Sequence, residues 1–181
     1  MQRRVIGGWG FRADLLSHLG PAQPWHAELH LDAPTLLIGW SLGGVVATEL
    51  LDHPEVVAVV TLATPGDFAA QVDPRFFNRL ARSVAHDSEA ALARFHPWIV
   101  GEPFDPRRVD DHQLLGGLTR LRDSRCADAW ARSATPQLHL VGQDDVLFRD
   151  PDQQPVTGGH GFAWQQAERT AALIDEFADA L

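Results

Sequence analysis

A chain of 181 residues, 45% hydrophobic and 22% charged, is long enough for one domain with a real core and is composed like an ordinary globular protein. Its net charge of −9 argues against general nucleic-acid binding. There is no apolar run long enough for a transmembrane helix, the apolar stretch behind the basic N-terminus is too short for a signal peptide, and a single cysteine, Cys126, excludes an intrachain disulfide, so the expected location is the cytoplasm, with no membrane partner.

Arg3 to Gly7 reads as a short strand that runs into a tight Gly-Gly-Trp-Gly loop. Ala13 to Leu19 suggests one or two helical turns, stopped by Gly20-Pro21. His26 to Leu31 alternates, with Ala27, Leu29 and Leu31 on one side, which predicts an edge strand wet on the other. Thr35 to Gly39 is a continuous apolar run, as a central buried strand requires, and a helix follows over Leu42 to Leu51. Val56 to Ala63 and Gln137 to Gly142 are further buried strands, and Gln154 to Thr157 is a weaker one. Gln165 to Leu181 has helical spacing of apolar residues up to the C-terminus.

Strand and helix alternate at both ends, which favours an α/β fold with an open, mostly parallel sheet of about six strands. Residues 66–135 break the pattern. They are helical in character, with candidates at Pro74 to Ala85, Glu89 to Trp98 and Asp110 to Leu121, and read as a lid inserted into a single domain spanning 1–181. The chain has no lysine, and 10 of its arginines fall between Arg75 and Arg132 beside 8 acidic residues, so a basic lid sits on an acidic protein.

The strongest chemical signal is Gly39-Trp40-Ser41-Leu42-Gly43, directly after a buried strand and before a helix. Gly-x-Ser-x-Gly in that context is a nucleophile elbow, which lifts a serine hydroxyl above the sheet on a strained turn. It also sets the backbone N–H of Leu42 at a helix N-terminus, where it can stabilise an oxyanion. A second oxyanion donor is expected from the loop after the first strand, and the N–H of Trp9 is the candidate.

Ser41 needs a base, and the base needs an orienting carboxylate. His160 follows the last strand candidate in Gly158-Gly159-His160-Gly161 and is the candidate base. The acid is Asp144 or Asp145, both just after the strand ending at Gly142. The other eight histidines, His18, His26, His30, His53, His86, His96, His112 and His139, read as structural or solvated. No histidine pair has metal-site spacing with carboxylates beside it, so neither a metal nor another cofactor is expected.

With Gly7-Gly8-Trp9-Gly10-Phe11, Gly39-Trp40-Ser41-Leu42-Gly43-Gly44, Gly142-Gln143-Asp144-Asp145 and Gly159-His160-Gly161-Phe162 assembled, the chain resembles the pimeloyl-[acyl-carrier protein] methyl ester carboxylesterases of biotin synthesis, within the α/β-hydrolase superfamily. The resemblance covers nearly the whole chain and is strongest at the elbow. It departs from the family at Gly7-Gly8, where a loop-stabilising histidine usually stands, and it lacks the two strands that usually open the fold.

The resemblance implies an α/β-hydrolase fold and a serine esterase acting through an acyl-enzyme. Ser41 would be the nucleophile, His160 the base, Asp145 the acid, and Trp9 and Leu42 the oxyanion donors. Asp145 is favoured over Asp144 because family members place the acid three residues after the strand-ending glycine, and Asp67 is an outlying third option. An acyl channel is expected along Trp9, Trp40, Phe76, Phe77, Phe95 and Trp98. Docking of an acidic acyl-carrier protein is expected at Arg75, Arg79, Arg82, Arg122 and Arg125. The rival readings are a broad carboxylesterase or lipase for small acyl esters, and a non-catalytic binding module of the same fold.

Overall fold

In a computed structural model that describes residues 1–181, six strands form one parallel sheet. They are β1 (Gln2–Ile6), β2 (Ala22–Gln23), β3 (Thr35–Trp40), β4 (Val56–Leu62), β5 (Gln137–Gly142) and β6 (Gln154–Val156), in the spatial order β2-β1-β3-β4-β5-β6. Buried on both faces, β3 and β4 carry near-continuous apolar sequence, as central parallel strands do. Leu36, Leu37 and Ile38 are fully buried, each contributing about 2 kcal/mol of hydrophobic stabilisation.

Side chains alternate across the sheet, so neighbours in one strand belong to different cores. Ile6 and Leu37 face a layer made by α1 (Leu42–Glu49) and by the helices between β4 and β5. Val5, Leu36, Ile38 and Trp40 face the opposite layer. A 3-10 helix over Ala13–Leu19, with the C-terminal helices, covers that second face.

Between β4 and β5 lie α2 (Phe68–Gln71), α3 (Pro74–His86), α4 (Ser88–Val100), α5 (Leu114–Asp123) and α6 (Cys126–Arg132). Asp67, Asp73 and Asp87 cap α2, α3 and α4 by accepting backbone N–H groups, which explains where these helices begin. Cys126 opens α6 and is 2% exposed, and burial pushes its thiol up to about 12. The C-terminal segment divides into α7 (Phe162–Gln165) and α8 (Ala167–Asp179), with the break at Gln166. No helix is long and apolar enough to cross a membrane.

The edge strand is not where alternation predicts it. His26 to Leu31 is turn and loop, and the edge strand is Ala22–Gln23. Pro24 has no N–H to continue a ladder, and its carbonyl accepts from Ala27 at 3.0 Å to close a turn. Leu29 and Leu31 still pack on the core, which is the burial that mimicked a strand. The expected Asp110 to Leu121 helix starts only at Leu114, because Val109 is tied to Phe11 in an isolated bridge.

Candidate active site

Three loops at the C-terminal ends of parallel strands converge, the place where open α/β sheets form their sites. The loop after β3 carries Ser41. The glycines around it are needed for contact: a side chain at Gly39 would strike the backbone of Gly43 and Gly44, and one at Gly43 the carbonyls of Ile6 and Gly7. Ser41 itself has φ 54 and ψ −117, a conformation disfavoured for any residue with a Cβ. Its N–H donates to the Leu62 carbonyl at 2.8 Å and its carbonyl accepts from Thr64 Oγ1 at 3.0 Å, so the end of the neighbouring strand β4 and the loop after it hold the turn.

His160 Nε2 lies 3.1 Å from Ser41 Oγ, and His160 Nδ1 lies 2.7 Å from Asp145 Oδ2. A carboxylate only accepts, so the Nδ1–H faces Asp145 and Nε2 is left to accept from the serine hydroxyl. The second oxygen of Asp145 accepts from the Leu147 N–H at 2.8 Å, and its side chain is fully shielded from solvent. Asp144 is exposed, and its backbone N–H donates to the Gly158 carbonyl at 2.9 Å, docking the acid loop on the histidine loop. Asp67 caps α2 and pairs with Arg125 at 3.5 Å, away from His160.

Trp40 Nε1 donates to the His160 carbonyl at 2.9 Å, so the residue before the serine also steadies the histidine loop. Leu42 is the first residue of α1, where an N–H has no intrahelical partner. The loop Gly7-Gly8-Trp9-Gly10 lies opposite: a Cβ on Gly8 would stand 3.2 Å from Ser41 Cβ. Trp9 Nε1 donates to the Leu114 carbonyl at 2.7 Å, which fixes its ring against α5.

Above Ser41 is an apolar cavity lined by Trp9, Trp40, Phe76, Phe77 and Phe95. Leu80 lines it too, and sequence reading missed Phe11, Phe68, Leu118, Leu121 and Leu147, which complete its wall; their apolar character alone does not separate them from core. Trp98 is not among them. It is 43% exposed and packs on Phe76 from outside, at 4.7 Å between ring centroids, in an open groove with Arg79 and Arg94. The cavity measures about 20 Å³, against roughly 300–1,000 Å³ for ordinary ligand pockets. It is narrow.

Arg75, Arg79 and Arg82 are exposed on α3 and have no acidic partner within salt-bridge distance. Arg122 pairs with Asp123 at 2.7 Å, and Arg125 with Asp67, so these two are already engaged. Away from the serine, Asp110 bridges two imidazoles, His26 at 3.2 Å through one oxygen and His112 at 3.4 Å through the other. A sequence separation of 84 between His26 and Asp110 hides this His–Asp–His cluster from sequence reading.

Burial holds His96 and His139 uncharged, pushing each down to about 4. The unfolded chain takes up these protons near 6.5. Unfolded chains therefore bind more protons between those values, and the fold loses stability as pH falls from 6.5 towards 4. Urea midpoints should drop between pH 7 and pH 5, and His139→Gln should flatten that slope. An unchanged slope in the variant would remove His139 from the account.

The Alpha/beta hydrolase family model matches residues 7–178. The chain belongs to this family. This α/β-hydrolase is 27% identical over 192 residues to the pimeloyl-[acyl-carrier protein] methyl ester esterase of Sodalis glossinidius, covering 79% of this chain and 75% of the relative. It is 30% identical over 166 residues to the protein of the same name from Vibrio parahaemolyticus, covering 78% of this chain and 64% of the relative. The hydrolase thus spans about two thirds to three quarters of the length of these relatives. In fold it is similar to a bromoperoxidase from Bacillus anthracis, at 14% identity and a TM-score of 0.75, over 98% of this chain and 92% of that one.

Proposed function

We propose that this α/β-hydrolase is a serine carboxylic ester hydrolase whose substrate is the methyl ester of pimeloyl-[acyl-carrier protein], acting in the cytoplasm in biotin synthesis. The observation that carries the ester-hydrolase reading is the Ser41–His160–Asp145 chain at 3.1 and 2.7 Å, set on the floor of an apolar cavity. The names of the relatives support the substrate.

Ser41 Oγ attacks the ester carbonyl while His160 Nε2 takes its proton. The N–H groups of Trp9 and Leu42 hold the oxyanion as it forms. His160 then gives its proton to the departing methanol, and Asp145 stabilises the imidazolium throughout. Water repeats the sequence on the acyl-enzyme, releasing the carboxylate and restoring Ser41. The apolar lining suits a methylene chain, and residues 66–135 act as the lid that brings Phe76, Phe77 and Phe95 over it. The unpaired arginines of α3 suit an acidic carrier protein.

A broad esterase for small acyl esters is the second reading, favoured by the narrowness of the cavity. The deciding test is growth without biotin of a strain that lacks its own methyl ester esterase. The wild-type chain should restore growth and Ser41→Ala should not. Failure of soluble wild type would sink the biotin assignment, while Ser41-dependent cleavage of p-nitrophenyl butyrate would keep the esterase. Changing Arg75, Arg79 and Arg82 together to alanine should slow carrier-linked substrate about tenfold and leave the small ester within about twofold.

A further inference from the structure

In the loop opposite the elbow Gly7, Gly8 and Gly10 have no side chains, and the Trp9 ring is turned away to the Leu114 carbonyl, so none of them holds the Gly10 peptide. Its support comes from a distance of 86 residues. His96, on α4, places Nε2 2.9 Å from the Gly10 carbonyl. A carbonyl only accepts, so Nε2 carries the proton and His96 donates. Its ring stacks on Phe11 at 3.8 Å between centroids and 12° between planes, and Phe11 in turn meets Trp40 edge-on at 5.3 Å. His96 is 2% exposed, and burial keeps it neutral.

Satisfying a buried carbonyl does not by itself require this histidine. The Gly10 carbonyl already accepts from the Asp110 N–H at 3.2 Å. Two donors, from His96 and Asp110, instead fix the plane of the Gly10–Phe11 peptide unit, just after the point where Gly10 has φ +75 and the chain reverses. The Trp9 N–H, two peptide units back in the same turn, has no acceptor within the protein, which leaves it free for a ligand. Helix α4 reaches this loop closely: a Cβ on Gly10 would stand 3.0 Å from Leu92 Cδ2.

We propose that His96 is a positioning residue, whose Nε2–H holds the Gly10 peptide and thereby aims the Trp9 N–H at the oxyanion formed above Ser41. This rests on the hydrolase reading. His96 touches neither substrate nor reacting atoms; it adds a brace at Gly10 from the helical segment, beside the Trp9 side-chain bond to Leu114.

The test uses the full chain with p-nitrophenyl butyrate and the variants His96→Leu, His96→Gln and Ser41→Ala. Loss of one oxyanion donor costs about 100- to 1,000-fold, and a misaimed donor should cost less. His96→Leu should lower kcat by roughly 10- to 100-fold with KM within about twofold. His96→Gln, which keeps an N–H donor, should return kcat to within about threefold of wild type. A folded His96→Leu with wild-type kcat overturns the proposal, as does an equal loss in the two variants. Nitrogen-15 spectra of the wild-type imidazoles add a readout that needs no variant: His96 should be the neutral Nε2–H tautomer at pH 7, and an Nδ1–H tautomer overturns the proposal. Wild-type activity that persists in Ser41→Ala would instead overturn the hydrolase reading, and this inference with it.

Discussion

Ser41→Gly should lose esterase activity and yet be more stable than Ser41→Ala by about 1–2 kcal/mol, against the usual order of these residues. Both variants lack the proposed nucleophile, so kcat should fall by about 10⁴- to 10⁶-fold in each. They differ in the backbone. Ser41 sits at φ 54 and ψ −117, which alanine must also adopt and glycine adopts without a Cβ clash. The strain persists because the turn is over-determined, by its bonds to Leu62 and Thr64 and by the close approach of Gly39 to Gly43. Urea denaturation of the two variants measures the difference directly. If alanine proves equal or more stable, the turn stores no strain worth the name.

Asp145→Asn should lower kcat by about 10⁴-fold at neutral pH, while Asp144→Asn should leave it within about twofold. The reason is tautomeric. In the native site Asp145 has two acceptor oxygens, one facing the Leu147 N–H and one facing His160 Nδ1. Asparagine has one acceptor oxygen, and the Leu147 N–H claims it. Its NH₂ group then faces His160 Nδ1, which must accept, and the proton moves to Nε2. An imidazole protonated there cannot take the Ser41 proton. The side chain of Asp144 is solvated and offers no such coupling. Initial rates for both variants, with circular dichroism to confirm folding, decide between them. A larger loss in Asp144→Asn would reverse the acid assignment.

These residues differ in how far the sequence alone exposes them. The strained turn at Ser41 is legible because strand, glycines, serine and helix are consecutive in one stretch of chain. His160 was legible from its place after the last strand. The choice between Asp144 and Asp145 was not legible from the residues themselves. Adjacent side chains point in different directions, and here the direction is set by the Asp144 N–H bond to Gly158, a contact between two loops. The edge strand went astray because period-two burial at Leu29 and Leu31 also arises in a loop that packs on the core. The helices α2 and α6, of 4 and 7 residues, are too short to show a periodicity. His96 looked structural because nothing local links it to Gly10.

Burial of Cys126 has a practical side. The chain has one thiol, it opens α6, and its high pKa leaves almost no thiolate in the folded molecule. Disulfide reagents in solution therefore meet nothing to react with until α6 lifts off the sheet-facing helix α1. Where closing is faster than modification, the modification rate, compared with that of the denatured chain, gives the free energy of that opening. The molecule carries a single-site clock for its own breathing, placed at the foot of the segment that roofs the serine.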